Sequence, residues 1–415
     1  MSEQTKLHAW RWAVVSVVCL VCFMANYMQY QVSALATWVM PQLNIDVAGF
    51  NMLFLMPMLT AVFLSIPIGA LGDRFGSRRV VGICLIISVI GGFLRCFFLE
   101  SFEMQLLTMF LLGCGISALN ANLVKVLGVW FKEQTGTAMG LFYASSCVAI
   151  VVAQVCAPLF GSVYNSYLVA AIVLAISTVL WYLLDRDVPK GETPAPPEPT
   201  LEYLKVAGKS KGVWLIAIGV GFGLASTTAY AGLLPQALEL GKGVEMTTSG
   251  VMAAIVTVGS FFGCLIGPAC ADKIGKFKGF LVSTTILGAL FMFVTWYCPS
   301  VGWVIWFVLV ANGFFTAING PIMQAMPILL PEIGEKYAGS AGGIVGTVSL
   351  LISYFVPIII SVIAGDSYAV NFALESLCFV LGVIPIVLLP ELGPKGKFQQ
   401  ELKAKRAAEL GNVAE

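Results

Sequence analysis

Residues 166–184 read SYLVAAIVLAISTVLWYLL, with no charged side chain. About 20 predominantly apolar residues are what a helix needs to cross the hydrocarbon of a bilayer. The chain carries twelve such runs, near 12–36, 48–71, 80–98, 105–130, 136–161, 166–184, 213–237, 247–271, 279–298, 301–325, 338–364 and 368–390. Lipid cannot satisfy a backbone N–H or C=O, so these runs predict an all-α membrane protein of twelve transmembrane helices. Of the 415 residues, 59% are hydrophobic and 11% charged, against about 25% charged in a soluble domain.

Several function classes fall away at once. His8 is the only histidine and precedes the first span, which removes His-based metal sites and Ser/His or Cys/His catalysis. Of the eleven cysteines, all but Cys298 lie well inside apolar stretches, where thiols behave as small hydrophobes; Cys19 and Cys22 read as packing. No catalytic residue, metal or cofactor is expected, and the chain is read as not an enzyme. The 23 basic and 22 acidic residues nearly balance, so nothing argues for a nucleic-acid partner. No small-residue cleavage site interrupts the first span, which is read as retained.

With both termini placed on one side, the basic residues gather there; only Lys242 falls in a loop on the other side, and Arg95 and Lys125 fall within spans. The positive-inside rule then sets both termini in the cytoplasm of a multi-pass protein of the cytoplasmic membrane. The Pro-rich, then basic, stretch 185–212 reads as a surface linker between an N-terminal bundle of six spans, 1–184, and a C-terminal bundle of six, 213–392. Residues 393–415 read as a cytoplasmic tail. DRFGSRR at 73–79 is matched by DKIGKFK at 272–278, and SALN at 117–120 by TAIN at 316–319, both 199 residues on. TGTAMGL at 135–141 is matched by AGSAGGI at 338–344. Ordered matches of this kind point to two pseudo-repeats that rock about a site near the midplane. Gly136, Gly140 and Ala144, and Gly339 and Gly343 with Gly342 and Gly346, have the small-xxx-small spacing that lets helices approach closely.

GALGDRFGSRR at 69–79 is similar to the signature between spans 2 and 3 of the major facilitator superfamily, and the resemblance covers essentially the whole chain. It implies the major facilitator fold, alternating access, and conformational roles for Gly69, Asp73, Arg74, Gly76 and Arg78. Asp73 would pair across the half-to-half interface with the start of span 11. The chain is expected to act as a monomer in the lipid bilayer.

Lys125 sits within span 4, where a charged side chain costs roughly 2.5 to 3.5 kcal/mol at mid-membrane. Under the repeat it aligns with Gln324. Two readings stand: the ammonium meets an anion in the cavity, or its stem snorkels to the interface. Asn26 and Tyr27 in span 1, and a basic residue five before Trp130, resemble the organic-anion branch of the superfamily. That resemblance implies a substrate carboxylate on Lys125. Gln29 and Tyr30 stand where that branch has an acid and a base, so the proton coupling carried by its span-1 acid has no counterpart here. Further candidate polar contacts are Asn120, Asn122, Tyr143, Gln154, Thr227, Tyr230, Asn319 and Tyr354. Arg95, near Glu100 and Glu103, reads as an interfacial ion pair. Glu375 in span 12 reads as structurally paired, with proton coupling as the sharper alternative. No Asp or Glu falls within spans 1, 2, 4, 5, 7, 8, 10 or 11 as bounded above.

The expected function is a secondary transporter or exchanger for a small organic anion, a mono- or dicarboxylate, with a proton or counter-anion as co-substrate. The alternative is a polyspecific drug or neutral-solute carrier of the same fold. APLFGS at 157–162 lacks the Gly-Pro-x-x-Gly-Gly element that drug exporters resemble, and a neutral carrier leaves Lys125 without a reason. Nitrate and oxalate recede because the paired arginines, or the cations in spans 8 and 11, are missing. A sensor or membrane enzyme lacks a signalling domain or a catalytic constellation.

Overall fold

The computed structural model describes residues 3–131, 135–186, 200–396 and 400; the side chains of residues 3–9, 73, 123–125, 128, 129, 135–137, 200–202, 335, 336 and 338 lie outside the described set. Three of the calls above, on Lys125, Asp73 and Gly136, therefore fall outside it, as do linker residues 187–199 and most of the tail. Among the described residues twelve helices are long and apolar enough to cross a membrane. In chain order the helices are α1 (Glu3–Ala34), α2 (Ala36–Leu43), α3 (Val47–Phe75), α4 (Ser77–Phe97), α5 (Phe102–Phe131), α6 (Thr135–Cys156), α7 (Val163–Leu184) and α8 (Thr200–Lys209). They continue with α9 (Lys211–Lys242), α10 (Met246–Ile274), α11 (Phe277–Tyr297), α12 (Trp303–Ala325), α13 (Gly334–Ala364), α14 (Tyr368–Leu381) and α15 (Ile384–Leu388).

Local chemistry sets the helix ends. Asp46 caps α3 by accepting from the Gly49 N–H at 2.8 Å, and Ser162 caps α7 by accepting from that of Asn165 at 3.1 Å, each satisfying a donor the first helical turn leaves orphaned. Gly76 ends α3 at φ 89 and Gly275 ends α10 at φ 74. These two positions are the matched glycines of the repeated motif, and both need the left-handed backbone that glycine adopts without a steric cost.

Contacts divide the chain into two compact units. The first takes Met1–Glu198, Ala231–Ala254 and Ser361–Asp366; the second takes Pro199–Tyr230, Ile255–Ile360 and Ser367–Glu415. The end of α9, the start of α10 and a turn near the end of α13 thus belong with the first six spans. Hydrogen bonds hold them there: Ser33 Oγ donates to Gly232 O at 2.7 Å, and Asn51 Nδ2 to Ser361 Oγ at 2.7 Å. The apolar core of the first unit includes Val18, Leu85, Leu127 and Trp181, and that of the second Ile216, Leu281, Met326 and Ile386.

The closest helix approach described lies on helices that the spacing of small residues did not single out. Gly259, Gly263 and Gly267 run at four-residue intervals along α10. A Cβ added at each would strike Val310 O, Phe314 O and the Ile318 side chain of α12, and one added at Gly313 of α12 would strike Val256 O. By contrast, a Cβ at Gly140, Gly339, Gly342, Gly343 or Gly346 meets nothing within 4 Å. The expectation of close packing at those five glycines is corrected: their faces are open, and α10 with α12 uses the small-residue mode instead.

Candidate functional site

In the first unit the polar residues of α1 are turned inward. Gln29 Nε2 donates to Phe54 O at 3.1 Å, and the Tyr30 ring stands edge-on to Phe54 at 5.2 Å. Tyr27 stacks on Phe23 at 6.2 Å, and all three polar side chains are buried. Gln154 is fully buried and donates to Ala231 O at 3.5 Å. On α5, Asn120 is exposed and Asn122 fully buried. Asn122 donates to Ala118 O at 2.9 Å and accepts from Ser77 Oγ at 3.2 Å, and Gly72 lies so near that any Cβ there would strike its amide. Asn122 thus ties α5 to the turn between α3 and α4, and Gly69 faces Ala121 beside it. Arg74 is exposed, with its guanidinium 5.2 Å from the Phe75 ring; Arg78 donates to Tyr182 O. Asn122→Ala is expected to lower the unfolding temperature by several degrees with KM unchanged, as loss of a buried hydrogen bond requires; a shifted KM at constant stability would instead put the amide on substrate.

Helix register bears on Lys125. It follows Ala121 by four residues and Asn122 by three, and positions so spaced share a helix face. Those two residues pack against Gly69 and Gly72 of α3, so Lys125 is placed one turn further along the side of α5 that approaches the α3–α4 turn.

In the second unit Tyr230 donates from its hydroxyl to Thr295 Oγ1 at 3.0 Å and packs on Phe372 at 5.1 Å. Asn319 of α12 bridges two threonines of α11, accepting from Thr284 Oγ1 and donating to Thr285 Oγ1, each at 2.7 Å. Thr227 donates to Gly223 O at 2.9 Å within its own helix. Tyr354 is buried and lies edge-on to Phe355 at 5.1 Å. Gln324 is exposed, as is Tyr143 of the first unit.

Glu375 departs from the structural pairing read from sequence. It is fully buried on α14, and neither carboxyl oxygen has a hydrogen-bond partner. Ser226 Oγ of α9 reaches only its backbone O, at 2.6 Å. Arg95 also departs from expectation. Glu100 and Glu103 are exposed, whereas Arg95 is fully buried with its guanidinium carbon 3.4 Å from the Tyr167 ring centre. A third correction concerns the acids. The apolar stretch Lys211–Lys242 contains Glu239, which the sequence boundary at 237 left outside the span. Its carboxylate accepts from Thr37 Oγ1 at 2.7 Å and Ser249 Oγ at 2.6 Å. The signal for Glu239 was present: QALELGKG keeps a helical pattern to the glycines.

The Major Facilitator Superfamily model matches residues 16–357. The chain is 23% identical to the probable nitrate transporter NarT of Staphylococcus epidermidis, over 90% of this chain and 94% of that one. It is 23% identical to the probable galactarate/D-glucarate transporter GudP of Escherichia coli, over 90% and 91%. Among solved structures, a bacterial homologue of the human lysosomal transporter Spinster, inward-facing and unoccupied, aligns with a TM-score of 0.66 at 17% identity, over 94% of this chain and 96% of that one. Twelve membrane-length helices, matched motif glycines and full-length likeness to carriers lead to one conclusion: the chain is a multi-pass, non-enzymatic carrier belonging to the Major Facilitator Superfamily.

Proposed function

We propose that the chain is a secondary transporter or exchanger for a small organic anion, working by alternating access in the cytoplasmic membrane with both termini inside. The observation that carries this reading is the pair of relatives covering 90% of the chain. Nitrate and galactarate differ in size, shape and hydroxyl count, so a negative charge is the property they share. Lys125 is the residue assigned to meet that charge, with Asn120 and Tyr143, both exposed in the same unit, as candidate polar contacts of the anion. An ammonium inside a membrane span moves at least cost when an anion neutralises it. Glu375 is assigned the proton. An unpaired carboxylate is disfavoured in a dry interior, and intramembrane acids of this kind mark proton routes. A titratable group that interacts with it is Cys378, one turn on along α14.

A second reading of Lys125 is favoured by its register: at the α3–α4 turn it would anchor the motif loop. One experiment separates the two. Purified protein in proteoliposomes is offered labelled mono- and dicarboxylates, nitrate and a nucleoside, as wild type and as Lys125→Gln. The anion reading expects uptake of at least one anion, saturable and competed by other anions, with affinity about tenfold weaker in the variant, the loss of one charged contact of ~1.4 kcal/mol. A variant with unchanged affinity but a lower unfolding temperature would assign Lys125 to the loop. Uptake confined to the uncharged nucleoside would overturn the anion reading itself.

A further inference from the structure

We propose that the first unit holds a small inorganic anion of halide or nitrate size at Arg95, in a buried site separate from the Lys125 position. The site lies where α4 ends and α5 and α7 begin. Arg95 Nη1 donates to Met28 O at 3.3 Å, but Nε and Nη2 are buried and have no partner. Arg95 touches three other helices, through Met28 O, the Gln105 amide and the Tyr167 ring. On those helices Gln31 of α1, Gln105 of α5 and Tyr167 of α7 are each at least nine-tenths buried, and each keeps one unpartnered polar atom: Gln31 Nε2, Gln105 Oε1 and the Tyr167 hydroxyl. Their other polar contacts fix them in place. Gln31 Oε1 accepts from Ser166 Oγ at 3.4 Å, and Gln105 Nε2 donates to Arg95 O and Phe98 O, both at 2.9 Å.

The unmet groups are unbalanced in one direction. Four can donate, only Gln105 Oε1 is confined to accepting, and the cluster carries a full positive charge that arginine cannot shed. Water donates as often as it accepts, so it meets such a set poorly and leaves the charge uncompensated. A small anion accepts from several donors at once and cancels the charge. The ring of Tyr167 stabilises one face of the guanidinium, leaving its edge, where Nε and Nη2 lie, for the ion. A small void on the other side of Met28 is lined by apolar atoms of Met28, Leu112 and Leu174, together with Ser88, and suits no charged ligand. Entry would pass the short segment between Phe97 and Phe102, since Arg95 stands two residues from the end of its helix.

The test is thermal unfolding of the purified full chain in detergent, in sodium gluconate with increasing chloride, bromide or nitrate at constant ionic strength. Wild type is expected to gain several degrees saturably, because a ligand of the folded state alone stabilises it by mass action. Arg95→Met should show no anion-specific gain. Should it fail to fold, Tyr167→Phe, which keeps the ring, is expected to need at least threefold more anion for half the effect. Lys125→Gln should keep the gain that wild type shows in chloride and bromide, halides that the transport reading does not assign to Lys125, which keeps this site distinct from that reading. The absence of an anion-specific gain in wild type, or an equal gain in Arg95→Met or, where that variant does not fold, in Tyr167→Phe, would overturn the proposal.

Discussion

Leucine in place of Gly263 is expected to leave almost no folded protein. Even a bare Cβ there would run into the backbone oxygen of Phe314, and a backbone atom cannot step aside as the end of a side chain can. Ordinary overpacking of a core costs about 1 to 3 kcal/mol. Here α10 and α12 would have to part along the whole Gly259, Gly263 and Gly267 row, giving up contacts that membrane helices gain only by close approach. Net stabilities of roughly 5 to 15 kcal/mol leave little reserve. Size-exclusion chromatography of fluorescently tagged protein should show the monodisperse peak lost in Gly263→Leu and retained in Gly343→Leu, where a Cβ meets nothing within 4 Å. Equal peaks for the two variants would contradict this account of the packing.

Glu375→Gln is expected to fold and to exchange anion while losing the ability to concentrate it. Amide and protonated acid are nearly the same size and both neutral, so the buried pocket of α14 need not rearrange. What the amide lacks is a proton to release. A carrier moving one proton with a monoanion accumulates the anion in the more alkaline compartment by about tenfold per pH unit, each tenfold corresponding to ~1.4 kcal/mol. Across two units, wild-type vesicles should therefore reach an accumulation on the order of a hundredfold, and the variant should only equilibrate. Undiminished pH-driven accumulation in Glu375→Gln would remove the residue from the coupling path.

Sequence carried the architecture because hydrophobic length is a local signal. The runs read at 12–36 and 279–298 correspond to Trp10–Ala34 and Phe277–Tyr297. Two short helices escaped it. α2 contains Pro41 and lies between spans, and α8 occupies a stretch read as linker. Span 12 was read as continuous, but it breaks after Leu381 and resumes as α15 with Pro385 at its first turn. The polar residues were harder, because a sequence gives their depth but not their partners. Asn122 and Asn319 each follow the pattern expected of cavity residues, yet their amides join neighbouring helices. Arg95 and Glu375 were both read as paired, since pairing is the usual fate of a charge in lipid. That two such ionisable groups would be buried with polar atoms left unpartnered among the described residues is a fact of tertiary packing that spacing along the chain does not encode.

The open glycine face of α13 has a practical consequence. A reporter group attached at Gly343 would occupy room that is already vacant, so a spin label or fluorophore there should track the helix without distorting it. Among the eleven native thiols Cys264 is exposed and Cys19, Cys147, Cys156 and Cys270 are half-buried, the other six being buried. Replacing those five should leave a background quiet enough for a single introduced cysteine to follow the transport cycle by spectroscopy.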